Sequence, residues 1–163
     1  MLADAPAFLI AIEQSSFALA IRQSVWAYPA ANVGHILALF LFAGAACVMD
    51  LALLGVVRAA NPVAVVRGAR RATISALLLL LATGSILFAA EASHVAMNPV
   101  FQTKLGLITF GILNAALIGP LLRRTLDEVP PPVAFPLRVR AAAAMSLMIW
   151  LSVAACGRLI AYF

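Results

Sequence analysis

The chain has 163 residues, of which 65% are hydrophobic and 10% are charged, and its mean hydropathy is +1.08. Soluble domains carry about 25% charged residues, so this composition excludes a soluble globular protein and indicates an integral membrane protein. A spanning helix needs about 20 apolar residues, so the length predicts four spans in a single domain, residues 1–163. The net charge of +5 does not indicate a nucleic-acid partner, because the arginines adjoin the apolar segments, where they determine topology.

The first segment, residues 5–22, is moderately apolar but is interrupted by a polar run at residues 13–16. Its apolar side chains fall roughly on one helical face, which predicts an amphipathic helix that lies along the membrane interface. Trp26 and Tyr28 follow it, and both residue types are enriched at the level of the lipid headgroups.

Four apolar segments then follow in chain order, and they are predicted to span the membrane at residues 32–57, 72–95, 104–122 and 141–163. Arginine-rich loops follow the first and the third span, and the second of these loops contains the run 130–132 of three prolines, which is predicted to be non-helical. Eight of the eleven basic residues lie in these two loops. The positive-inside rule therefore predicts cytoplasmic loops and periplasmic termini in a bacterial inner membrane.

The two histidines, His35 and His94, lie near one end of the first and of the second predicted span. Because these spans run in opposite directions, both imidazoles are expected on the periplasmic side and at one depth. Histidine is a common metal ligand and an axial ligand of haem, and bundle cores hold such cofactors between facing helices. The pattern predicts one b-type haem ligated by both histidines, with Lys104 and Arg158 as contacts for its propionates.

Two other interpretations of the histidines remain open. Met97 follows His94 by three residues, and imidazole with thioether ligands suits Cu(I), so copper handling is one alternative. The other is a structural role within a non-redox membrane scaffold, an accessory subunit or a small transporter. Glu91 lies one turn before His94 and is expected to hydrogen-bond the ligand histidine or to pair with Lys104 or Arg158.

Asp50 in the first predicted span and Asn114 in the third are expected at nearly the same depth. A carboxylate inside a membrane is costly and should face the bundle, so the two side chains are predicted to approach each other, with Thr83 or Ser152 nearby. This polar layer is interpreted as a clasp between helices. The alternatives are a proton relay, a quinone contact or the substrate layer of a transporter.

Two sets of short motifs cover most of the chain. The first set is Tyr28-Pro29, His35, Asp50-Leu51 and Leu54-Gly55, and the second is Asn98-Pro99, Phe101, Lys104 and Asn114-Ala115. Together they resemble a group of uncharacterised bacterial four-helix membrane proteins related to the CopD-like copper-resistance membrane proteins and to small b-type cytochromes. The resemblance implies a four-helix bundle with a redox or copper-linked role, in which His35 and His94 match the helix-borne histidines.

We therefore predict an all-α bundle of four transmembrane helices with an N-terminal interfacial amphipathic helix. The expected function is electron transfer by haem b, as a carrier or redox subunit rather than as a stand-alone enzyme, because no hydrolase, metalloprotease or nucleotide-binding motif is present. The expected partners are the lipid bilayer, a periplasmic redox protein or quinone, and further copies or subunits of a larger complex.

Overall fold

A computed structural model describes residues 5–128 and 134–162, and the regular elements in that part of the chain are all helical. In chain order they are α1 (Ala7–Glu13), α2 (Ser16–Gln23), α3 (Ala27–Leu54), α4 (Pro62–Ala90), α5 (Ala92–Ala96), α6 (Pro99–Asp127), α7 (Leu137–Leu159) and a final 3-10 helix (Ile160–Tyr162). Four of them, α3, α4, α6 and α7, are long and apolar enough to cross a membrane. The prediction of an all-α, four-helix membrane bundle is confirmed, and the protein is a multi-pass membrane protein. The predicted proline-rich loop at 130–132 lies outside the described residues.

The two longest helices, α4 and α6, extend beyond the predicted spans because their starts are set by capping side chains. Asn61 and Asn98 each precede a proline at the first helical position, and their side-chain oxygens accept hydrogen bonds from first-turn backbone N–H groups. Each helix has 29 residues, or about 44 Å, which exceeds the roughly 30 Å of a hydrocarbon core. Both helices therefore continue into the headgroup region.

The N-terminal amphipathic segment forms two short helices rather than one. It breaks at Gln14 and Ser15, and the Ser15 hydroxyl accepts a hydrogen bond from the Ala18 N–H at the start of α2. Phe8 and Phe17 remain largely exposed, as expected of side chains that enter a lipid interface.

The second predicted span, 72–95, is interrupted, which corrects its predicted boundary. The helix α4 ends at Ala90, Glu91 is non-helical with φ −138° and ψ 34°, and α5 begins at Ala92. Arg22 of α2 donates to the Ala90 carbonyl at 2.7 Å, so it satisfies a carbonyl group at the end of α4. His94 thus lies on the separate helix α5.

The spanning helices form two antiparallel hairpins, α3 with α4 and α6 with α7, which meet mainly through α3 and α7. In their most apolar stretches α3 and α7 have a larger share of buried residues than α4 and α6, which flank them. We call the end with the α3–α4 connection the arginine end. The opposite end, with α1, α2 and α5, is the histidine end.

Two apolar clusters hold the bundle together. The arginine-end cluster joins all four spanning helices and consists of Ala52, Leu53, Val66, Leu122, Leu126, Val139 and Ala143. The middle cluster contains Phe42, Ala46 and Ala76, with Trp150 packed against it. Gly111 lets α6 approach α7 closely, since a Cβ atom there would lie 2.9 Å from Trp150 Cζ2.

Candidate functional site

His35 points from α3 towards α4, where its Nδ1 lies 2.8 Å from Thr83 Oγ1. The Thr83 hydroxyl donates its own proton to the Leu79 carbonyl at 2.7 Å, as threonines in helices commonly do. Its oxygen is therefore the acceptor for the Nδ1–H of a neutral His35, and Nε2 keeps its lone pair. This is the tautomer in which an imidazole binds a metal through Nε2.

The His35 ring also packs on the backbone of α4. A Cβ atom at Gly84 would lie 3.2 Å from His35 Cε1, so a larger residue at that position would force the ring to shift. Thr83 and Gly84 together orient the imidazole. Neither residue was predicted as a neighbour of His35, because the relative register of two apolar helices has no clear signal in hydropathy.

His94 occupies a different environment. It is exposed on α5 and lies within electrostatic range of Glu13 of α1. The adjacent residue Ser93 donates to the Glu13 carboxylate through its backbone N–H, at 2.8 Å, and through its hydroxyl. These two hydrogen bonds, with the nearby charge of Arg22, hold the pKa of Glu13 below its ordinary value.

The two histidines lie at different levels of the bundle. The Tyr28 hydroxyl donates to Glu91 at 3.2 Å, which places those two residues at one level. His35 lies seven residues further into α3, about 10 Å deeper, whereas His94 follows Glu91 in the chain. Their joint ligation of one haem stays a prediction. Glu91 contacts Tyr28, a partner that sequence reasoning missed.

The two predicted propionate contacts also differ. Lys104 is half-buried on α6, and its Nζ lies 3.7 Å from the position that a Cβ atom would take at Gly157. It is within electrostatic range of His35. Arg158 is exposed, donates to the Tyr162 hydroxyl at 2.8 Å and stacks over that ring at 4.9 Å. Lys104 is therefore the cation that the fold places near His35.

Copper ligation by His94 and Met97 stays a prediction. Met97 is 50% exposed beyond the end of α5, on the same outer edge as His94. No group of three or more His, Cys, Asp or Glu side chains in the described part of the chain is arranged to hold a metal ion. Cys47 and Cys156 are not joined in a disulfide.

Asp50 and Asn114 line the same cavity, of about 160 Å³, in the interior of the bundle. Asp50 is 1% exposed, and within the described structure its Oδ2 atom has no hydrogen-bond partner. Ser146 of α7 interacts with the carboxyl group, while Asn114 donates to the Ala142 carbonyl at 3.0 Å. The two side chains share a cavity without a direct hydrogen bond between them.

Thr83 and Ser152, the predicted neighbours of Asp50 and Asn114, do not take part in this polar layer. Thr83 contacts His35, and Ser152 is exposed and donates to the Met148 carbonyl on its own helix. Ser146, a serine on the same helix as Ser152, contacts the Asp50 carboxyl group instead. A second pocket, of about 230 Å³, lies at the arginine end and is lined mainly by Arg67, Arg70, Arg71 and Arg123.

Comparison with curated proteins and with solved structures gave no match. The resemblance to CopD-like proteins and b-type cytochromes therefore stays a prediction. A family model does match residues 16–163, a range that includes α2, the four spanning helices and each of the candidate residues described above except Glu13. The chain belongs to DUF6644, a family of unknown function.

Proposed function

We propose that the protein is a b-type cytochrome of the bacterial inner membrane that holds one haem through His35. The hydrogen bond from His35 Nδ1 to Thr83 carries the proposal, because it orients the ring and leaves Nε2 unprotonated. The haem, when bound, supplies one-electron chemistry, and the expected partner is a periplasmic protein or a membrane quinone. The resemblance to small b-type cytochromes supports the same assignment.

The proposal places the histidine end on the periplasmic side. Eight of the eleven basic residues lie near the arginine end, and positive charge favours the cytoplasmic side of a membrane. His35 then lies in the periplasmic half of the membrane. Lys104 is the nearer cation for a propionate, and Arg158 reaches the same region only when it leaves Tyr162.

His94 serves as the second ligand only if α5 moves towards α3. The helix α5 has five residues and follows the non-helical residue Glu91, so such a movement leaves the spanning helices in place. The proposal therefore has two forms. In one form both histidines ligate the haem, and in the other His35 is its only histidine ligand.

The test is the absorption spectrum of the purified protein from cells supplied with a haem precursor, oxidised and then reduced with dithionite. Wild type is compared with His35→Ala, with His94→Ala and with the control Asn32→Ala, an exposed position one turn before His35 on α3. We expect a sharp reduced α-band in wild type and the control, and its loss in His35→Ala.

The His94→Ala spectrum distinguishes the two forms of the proposal. Loss of the α-band indicates ligation by both histidines, whereas a haem that remains bound indicates that His94 is not a ligand. A wild-type protein without a Soret band contradicts the cytochrome proposal. In that case copper analysis of wild type and Met97→Ala tests the copper-handling alternative.

A further inference from the structure

We propose that the cavity around Asp50 is a binding site for the head ring of a membrane quinone, in its oxidised or its reduced form. The proposal concerns a different part of the bundle from His35 and does not depend on haem. It rests on the position of the cavity, on its opening and on the unpartnered carboxyl oxygen inside it.

The cavity lies between the two apolar clusters, so both of its ends are closed by packed side chains. At the end nearer His35 it is bounded by Phe42 and Trp150, whose ring centroids are 4.5 Å apart with an interplanar angle of 75°. At the arginine end it is bounded by Leu122 and Val139. Aromatic and aliphatic walls of this kind suit a flat, uncharged ring.

The side of the cavity between α4 and α6 is the more open one. The bundle is held mainly by the α3–α4, α6–α7 and α3–α7 contacts, and α4 and α6 are joined chiefly at the arginine end. There Arg67 donates to the Leu126 carbonyl and to the Asp127 carboxylate, at 2.7 and 2.6 Å. Along the cleft above this junction, the lining residues Ile74 and Ile112 are 47% and 38% exposed.

An opening between two outward-facing apolar helices leads into lipid. A ligand that dissolves in the bilayer can place a polar head in the cavity and leave its apolar tail in the cleft. Isoprenoid quinones have such a polar head ring and such an apolar tail. A water-soluble metabolite would have to cross hydrocarbon to use the same entrance, so the geometry favours the lipid-soluble class.

The Oδ2 atom of Asp50 can form a hydrogen bond with the ring in its quinone form and in its quinol form. A buried carboxyl oxygen without a hydrogen-bond partner is destabilising, and a ligand that supplies the missing hydrogen bond removes that cost. A protonated carboxyl group donates to a quinone carbonyl, and a carboxylate accepts from a quinol hydroxyl. One side chain therefore serves both forms.

A second polar group, Arg70 of α4, also lines the cavity. The Arg70 Nη2 atom lies 3.9 Å from the position that a Cβ atom would take at Gly119, so the guanidinium group of α4 reaches across to α6. Gly119 lies five residues, about 7.5 Å, from Asn114 towards the arginine end. A quinone has two ring oxygen atoms, so Asp50 and Arg70 offer a polar group to each of them.

The test measures quinone binding by the fluorescence of Trp150, a residue of the cavity wall. The chain has two tryptophans, so Trp26→Phe leaves Trp150 as the only reporter. Decylubiquinone is titrated into this variant in lipid nanodiscs, with the haem content of each sample read from its Soret band. Saturable quenching is expected, and it is expected equally in the His35→Ala background, so a failure of the cytochrome proposal leaves this result unaffected.

Matched glycine variants show whether the quinone is in the cavity. Gly119→Leu places a side chain into the cavity, where the nearest group is the flexible end of Arg70. Gly106→Leu is the control on the same helix, because a Cβ atom there meets nothing within 4 Å. We expect saturable quenching to be lost in Gly119→Leu and retained in Gly106→Leu, with the helical content of both checked by circular dichroism.

Substitutions at Asp50 test its hydrogen bond to the ring. Asp50→Asn keeps a donor and an acceptor and is expected to bind within a few-fold of the parent, whereas Asp50→Leu is expected to bind about tenfold more weakly. Quenching that is linear in quinone concentration, or that is equal in Gly119→Leu and Gly106→Leu, overturns the proposal. Such a result would assign the cavity to bound water.

Discussion

Thr83 is the side chain on which the protonation pattern of His35 depends. Its hydroxyl is committed as a donor to the Leu79 carbonyl, so it presents only an acceptor to the imidazole. A residue without that acceptor removes the hydrogen bond that selects the Nδ1–H tautomer, and the packing on Gly84 alone then orients the ring. The state of the proposed ligand is therefore set by a neighbouring helix rather than by His35 itself.

This dependence predicts a difference between two substitutions of Thr83. Thr83→Ser keeps the hydroxyl and should retain haem binding, whereas Thr83→Val keeps the volume but removes the acceptor. We expect the valine variant to bind haem about 10- to 100-fold more weakly, as for other partners of metal-ligating histidines. Haem titration of the apoprotein, followed at the Soret band, measures the effect. Equal affinity in the two variants would show that the tautomer does not matter.

At the scale of the elements, the contact between α1 and α5 includes hydrogen bonds to one carboxylate. Glu13 accepts two hydrogen bonds from Ser93, and in the folded protein these bonds favour its ionised form. Since the pKa of Glu13 is lower in the folded state, the contact is fully stabilising above the ordinary value of 4.5. The stabilisation is lost as pH falls through the lowered pKa, when the carboxylate takes up a proton.

The prediction concerns hydrogen exchange of the Ser93 backbone N–H between pH 7 and pH 3, corrected for the intrinsic exchange rate. Protection in wild type should be constant above the ordinary pKa of Glu13 and should fall below it. Glu13→Gln should have weak protection throughout, with no such transition. Glu128→Gln, at an exposed position at the arginine end, is the control and should behave as wild type. A transition that persists in Glu13→Gln would assign the effect to another group.

The existence of the four spanning helices could be predicted because each needs only a long apolar run, and hydropathy reports that directly. The break between α4 and α5 could not be predicted from the sequence. It coincides with hydrogen bonds from Arg22 and Tyr28, which lie more than 60 residues away in the chain. That Asp50 and Asn114 line one cavity was predictable by counting residues along α3 and α6, which run in the same direction. To predict the contact between His35 and Thr83, one would need to know how α3 and α4 are aligned along their axes. Apolar side chains determine that alignment only through packing.

At the scale of the whole molecule, the distribution of basic residues predicts which end faces the cytoplasm. A variant without Cys47 and Cys156 carries a single new cysteine, either Ser16→Cys at the histidine end or Ala60→Cys in the α3–α4 connection, both at exposed positions. A membrane-impermeant maleimide should label the first in spheroplasts with an intact inner membrane and the second only after that membrane is permeabilised. The reverse pattern would contradict the proposed orientation and would place His35 in the cytoplasmic half.

The side chain of Arg22 joins two parts of the molecule that are distant in sequence. It donates to the Glu13 carbonyl at the end of α1, at 2.8 Å, and to the Ala90 carbonyl at the end of α4. Two bonds in fixed directions require the planar fork of a guanidinium group, which a lysine does not have. We therefore expect the amphipathic segment and the last turn of α4 to open together. Such an opening would free the end of α4 and the α5 contact with Glu13, so we expect the surface helices to govern the mobility of the chain that carries His94.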